Sequence, residues 1–133
     1  MALQLDNVAF DCADPRKVAA FWAGALDYIV RDDGPPGPGE DVADVVSLVD
    51  ADGTLRMYFQ AVPEPKTVKN RVHVDLRPTG AMAEEVERLQ TLGATVHRSV
   101  EEGGSFWTVM RDVEGNEFCV LRGPDDGWAP EGS

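Results

Sequence analysis

Basic residues are scarce in this chain. Twelve lysines and arginines stand against 24 aspartates and glutamates, a net charge of −12. A phosphate backbone is held by a basic face, so this balance excludes nucleic acid as an expected partner. Cysteine is scarcer still: Cys12 and Cys119 are the only two. They are too few and too far apart for a disulfide scaffold, and two reduced thiols are expected. No hydrophobic run approaches the ~20 residues of a bilayer span, which excludes a membrane-spanning helix. The opening MALQLDNVAFDCAD has neither the basic nor the apolar stretch of a secretory signal, so a cytoplasmic location is expected. What remains, 43% hydrophobic and 27% charged residues, suits one globular domain.

That domain is written nearly twice. Asn7-Val8-Ala9-Phe10 opens a strand leading to a helix that ends at Leu26-Asp27, and His73-Val74-Asp75-Leu76 opens another leading to Leu92-Gly93. His73 follows Asn7 by 66 positions, and Leu92 follows Leu26 by the same 66. A single copy of a repeat this long is not a solenoid, which needs three or more units. It predicts two modules that must cover each other's apolar faces: module one over 3–62, a linker over 63–70, module two over 71–122 and a tail over 123–133.

Within module one, residues 3–12 alternate as a strand, with Val8 and Phe10 on one face and Asn7, Ala9 and Asp11 on the other. Asp14-Pro15 predicts a helix start, an acidic N-cap followed by proline where a missing N–H costs nothing. Val18, Phe21, Trp22, Ala25 and Leu26 then form one apolar stripe, so Trp22 is a core residue. The segment RDDGPPGPGED over 31–41 breaks helix and strand alike and reads as a long exposed loop, either simply mobile or a lid. Strands follow over 42–49 and 54–61. In module two, Val72, Val74 and Leu76 face one way and His73, Asp75 and Arg77 the other. Thr79 is the expected cap of a helix running to Gly93 with Met82, Val86 and Leu89 buried. Three more strands are expected over 94–100, 105–112 and 117–122.

The order βαβββ, twice, predicts an α+β fold. A helix covers one face of each sheet, and the other faces curve round a cleft. Asn7, Asp11, His73, Asp75 and Arg77 are expected to point into it, and polar groups placed there need partners, from each other or from a ligand.

The helix ends LDY and LGA, the linker region VPEPKTVKNRVHVDLRP and the closing DVEGNEFCVL resemble the vicinal oxygen chelate superfamily, which includes glyoxalases, bleomycin resistance proteins and dioxygenases. Within it the small glyoxalase-like branch is most similar. The resemblance covers residues 4 to 122. It implies an incomplete eight-stranded barrel around a small-molecule cleft and a homodimer, the latter to be read from the mass in solution. Metal-dependent members hold a divalent ion with side chains from the first and fourth strands of each module, His or Gln and Glu. Carried over, those positions fall on Asn7 and His73 in the first strands and on Met57 and Cys119 in the fourth, with Gln60 replacing Met57 if a bulge intervenes. An amide, a thioether, an imidazole and a thiol do not make a hard-ion site, so no metal and no other cofactor is expected. Glu117 is expected to face solvent, and His97 to lie on the surface.

The resemblance then implies a protein that binds a small organic molecule without a metal, as sequestering members of the superfamily do. Met57, Phe59 and Trp107 would wall the cleft, Asn7, Asp11, His73 and Asp75 would orient the ligand, and Cys119 would lie among them. An alternative is a metal-independent isomerase or lyase with His73 as general base. Asp75, two residues along an extended strand and ~7 Å away, is expected to reach His73 through a water or a second residue. A metal-dependent lyase or dioxygenase is the third alternative, and the missing carboxylates count against it.

Overall fold

The structure, a computed structural model, describes residues 2–131. It consists of two compact units that meet in sequence between Lys66 and Thr67. Unit one runs β1 (Val8–Cys12), α1 (Pro15–Leu26), β2 (Ile29–Arg31), β3 (Val45–Val49) and β4 (Leu55–Ala61). Unit two runs β5 (Asp75–Leu76), α2 (Met82–Thr91), β6 (Thr95–Glu102), β7 (Ser105–Arg111) and β8 (Glu117–Leu121), followed by a 3-10 turn over Pro124–Asp126. The sheet orders are β1-β4-β3-β2 and β5-β8-β7-β6. Each module is therefore βαβββ with the same wiring, and the eight strands make two separate four-stranded sheets, not a closed barrel. In both, the first strand pairs in parallel with the last, and the remaining pairs are antiparallel.

Helix α1 begins where its cap dictates. Asp14 is extended, its carboxylate accepts from the Lys17 N–H at 3.2 Å, and Pro15 is the first helical residue. It ends at Asp27, in the left-handed region at φ 61°. Val18, Phe21 and Trp22 are buried. Trp22 lies 5.4 Å from the Phe10 ring and Phe10 lies 5.2 Å from Phe59, so three aromatic rings join helix to sheet. Directly opposed residues share a face, and Val8 opposes Met57 as Phe10 opposes Phe59. Met57 and Phe59 thus belong to the helix-covered core of unit one, not to the other face where cleft walls were expected. In unit two the Thr108 hydroxyl reaches the Met82 sulfur of α2 at 3.6 Å. Thr108 opposes Val120 and Met110 opposes Phe118, which puts those four on the helix side and Trp107, Val109 and Cys119 on the other.

Several local expectations shift. β1 starts at Val8, leaving Leu3 and Leu5 exposed. A short strand, Ile29–Arg31, was not expected, because three residues carry no readable periodicity. The loop after it is held at both ends: the Arg16 guanidinium pairs with Asp32 and Asp44, each at 2.8 Å. Helix α2 is capped not by Thr79 but by a residue far along the chain. Ala81 occupies the cap position without a side-chain bond. The Asp126 carboxylate instead accepts from Met82 N–H at 2.7 Å and Gly123 N–H at 2.8 Å. Those two bonds hold the Asp126 carboxyl below the usual range. The tail is tied down further. Arg77 does not join the other polar residues of its strand; it donates to the Arg122 carbonyl at 2.7 Å and lies 4.0 Å over the Trp128 ring.

Phe59 is fully buried, so Phe59→Ala removes a core ring and leaves a cavity. We expect a loss of about 3–5 kcal/mol, measured by urea unfolding.

Candidate functional site

The helix-free face of module two gathers the chemistry-bearing side chains. The parallel pairing sets Asp75 directly across from Cys119. His73 lies two residues before Asp75, where the chain has not yet become a strand. The two side chains turn toward each other: His73 Nδ1 lies 3.0 Å from Asp75 Oδ1. The contact is direct, where an intermediary was expected. Cys119 Sγ lies 3.9 Å from the same nitrogen. Among the described residues these three form a group whose candidate donor atoms all lie within 4.8 Å of one another. His73 and Asp75 are exposed and Cys119 is buried.

The geometry fixes the roles. A carboxylate accepts only, so in neutral imidazole the proton on the shared nitrogen points to Asp75 and Nε2 keeps its lone pair. Burial pushes the Cys119 thiol from the ordinary 9.0 up to about 11, and the Asp75 charge pushes the same way, against weaker pulls from Lys69 and Arg98. Cys119 is therefore a thiol at neutral pH. In a cysteine–histidine dyad an imidazolium stabilises the thiolate; here Asp75 occupies the nitrogen nearest the sulfur, and the group is not such a dyad.

Module one lacks this constellation. Asn7 precedes β1 and donates to the Asp6 carboxylate at 2.7 Å. Asp11 is exposed on β1. In β4 the register breaks: Val49 opposes Leu55 but Leu48 opposes Met57, so Arg56 is an extra residue. Beyond it, Ala9 opposes Tyr58 as Asp75 opposes Cys119. The counterpart of Cys119 is thus Tyr58, not Met57, which the bulge turns to the helix side. Gln60 shares the face of Tyr58, two residues on. The apolar pairs Met57/Phe59 and Phe118/Val120 signal this shift in the sequence, because aligning them moves the register by one. Glu117 is buried, not solvent-facing, and accepts from Asn70 N–H at 3.0 Å. His97 is exposed at a break in the β6–β7 register. Trp107 is half-buried on the face of Cys119. Arg98 and Tyr58 escaped the sequence reading; an arginine on an exposed edge strand and a tyrosine behind a bulge carry no spacing signal.

The glyoxalase-like domain profile matches residues 7–121. The chain belongs to this family. No curated protein matches it. Among solved structures it is similar to the fosfomycin resistance protein FosX of Listeria monocytogenes in complex with Mn(II) and a dihydroxypropylphosphonic acid. That pair has 13% identity and a TM-score of 0.71 over 91% of this chain and 93% of the other. FosX of Mesorhizobium loti aligns at 14% identity with a TM-score of 0.65 over 91% and 92% of the two chains. A possible glyoxalase from Bacillus cereus aligns at 16% and 0.63 over 90% and 99%. At these identities the likeness shows the fold alone, two βαβββ modules of the glyoxalase-like kind.

A hard divalent ion wants several oxygen or imidazole donors converging on it. Module two offers an imidazole and a carboxylate already bonded to each other, plus a protonated thiol. The matching positions of module one carry an amide paired to Asp6, the methyl of Ala9 and a phenol. By donor type, neither module by itself supplies the several hard oxygens or imidazoles that such an ion takes.

Because its folded-state proton affinity exceeds that of an unfolded thiol, Cys119 contributes fully to stability below pH 9.0, and that contribution is lost as pH rises through about 11. We expect Cys119 to resist iodoacetamide at pH 8, followed by peptide mass. Asp75→Asn, which removes the nearby negative charge, speeds its alkylation at pH 9–10.

Proposed function

We propose that the protein binds a small organic molecule on the helix-free face of module two, without a hard metal ion. The observation that carries this reading is the neutral, buried thiol of Cys119 beside the His73–Asp75 pair. It supplies a polar tip and an apolar floor, not an ion cage. Val109 and the half-buried Trp107 extend the floor on the same face, and an aromatic wall of this kind suits a flat organic body. His73 Nε2 accepts a hydrogen bond from the ligand, and Asp75 holds the ring in place.

A second reading draws on the 3.0 Å contact between His73 and Asp75. A carboxylate on Nδ1 orients an imidazole and stabilises the imidazolium formed when Nε2 takes a proton. The same face then serves a metal-independent isomerase, with His73 removing a proton from an acidic carbon and returning it elsewhere on the same molecule, or a lyase, in which the carbanion expels a group from the neighbouring carbon and His73 gives that group the proton.

Mass spectrometry of compounds that co-purify with the protein, followed by thermal-shift titration of each, supplies the ligand. A compound at a hundred times its Kd stabilises the fold by about 2.7 kcal/mol. We expect His73→Ala to weaken binding about tenfold, the loss of roughly one hydrogen bond, with no turnover by either protein. Turnover by the wild type that His73→Ala abolishes while binding persists establishes the second reading. Stoichiometric manganese or nickel in the purified protein, required for binding, overturns both.

A further inference from the structure

The register of unit two draws one straight row across its helix-free face. Asp75 opposes Cys119, Cys119 opposes Val109, and Val109 opposes Arg98. Directly opposed residues point to the same side of a sheet. The row therefore begins with the His73–Asp75 pair on one edge strand, crosses a thiol and a valine, and ends in a guanidinium on the other edge strand. Leu121, Trp107 and Val100 form the adjoining row on that face. Three strand spacings separate the ends, ~14 Å between backbones.

Arg98 is exposed and makes no hydrogen bond or ion pair among the described residues. The side chains of Arg31, Arg71, Arg111 and Arg122 share that state among the described residues; what sets Arg98 apart is a row whose other end holds His73 and Asp75. Arg16, Arg56 and Arg88 each hold a carboxylate at 2.8 Å. The charge of Arg98 is felt at the Cys119 sulfur in the middle of the row, as is that of Lys69. The equivalent row of module one also ends in arginine, Arg31, which lies across Ser47 and Tyr58 from Ala9. It offers neither imidazole nor carboxylate at its other end.

We propose that Arg98 is the anion anchor of this face, and that the molecule bound there is an organic acid: a flat apolar body lying over Val109 and Trp107, with a carboxylate on Arg98 and a hydrogen-bond donor at its opposite end for His73. This rests on the small-molecule reading above and adds the class of ligand. The planar fork of arginine matches a carboxylate through two parallel N–H···O bonds. The apolar middle of the row excludes ligands charged along their whole length, since a charge over Val109 and Cys119 would lose water without gaining a partner. The negative end at Asp75 sets the polarity, because a carboxylate is repelled there and drawn to the opposite edge.

Benzoate and its neutral isostere benzamide are the probes, titrated at millimolar concentration and read by chemical-shift changes at the Trp107 and Val109 amides. We expect benzoate to bind the wild type at least fivefold more tightly than benzamide. Arg98→Gln abolishes that preference by weakening benzoate alone, and Arg98→Lys restores part of it. Arg88→Gln, the same charge change on the surface of α2, leaves both affinities as they were. Because Arg98 is exposed on an edge strand, the fold of each variant is confirmed by the unchanged shifts of α2. Equal binding of both probes, unaltered in Arg98→Gln, overturns the anion anchor and leaves the small-molecule reading standing. An equal effect of Arg88→Gln also overturns it, since bulk charge then explains the preference. Binding of neither probe to the wild type overturns both.

Discussion

The parallel pairing of the first strand of each module with its last is the constraint on which everything else rests. Two residues more than forty positions apart, Asp75 and Cys119, become neighbours only because β5 lies in register beside β8. Helices α1 and α2 make that pairing possible. A parallel connection needs a crossover, and each helix supplies it while burying one face of its sheet. The other face is then free to carry polar residues, and the alternation of the strands decides which residues those are. Loss of one residue of register exchanges core for surface along the whole strand.

That exchange is what separates the two modules. They share element order, sheet order and the sense of every strand pair, yet one extra residue in β4 moves Tyr58 into the place that Cys119 holds in β8. The modules therefore differ in chemistry more than in fold. Module two carries an imidazole–carboxylate pair against a thiol; module one carries an amide already satisfied by Asp6, a methyl group and a phenol. The chemistry-bearing side chains concentrate in one half of a duplicated scaffold.

The fold was legible because its signals are periodic or chemical. The stripe Val18–Phe21–Trp22, the Asp14-Pro15 start and the 66-residue echo each depend on spacing that survives in the sequence. The family followed from the linker and the closing DVEGNEFCVL. At the site, His73, Asp75, Cys119 and Trp107 were named, and the structure brings them to one face. Met57 and Phe59 lie in the core and not on that face, because the extra residue at Arg56 shifts the register by one, a shift betrayed only by the matching apolar pairs Met57/Phe59 and Phe118/Val120. The cap of α2 was missed for a different reason: Asp126 arrives from beyond β8, and local reading cannot see a partner 44 residues away. The direct His73–Asp75 contact was hidden as well, since a chain assumed extended keeps the two side chains apart.

The bulge at Arg56 also sets a rule for anyone redesigning this scaffold. Sequence alignment of the two halves pairs Cys119 with Met57; both are buried, but on opposite sides of their sheets, so a carboxylate written at 57 would sit against α1. The geometry pairs Cys119 with Tyr58. A substitution meant to repeat in module one the surroundings of Cys119 must be written at 58, across from Ala9, and not at 57.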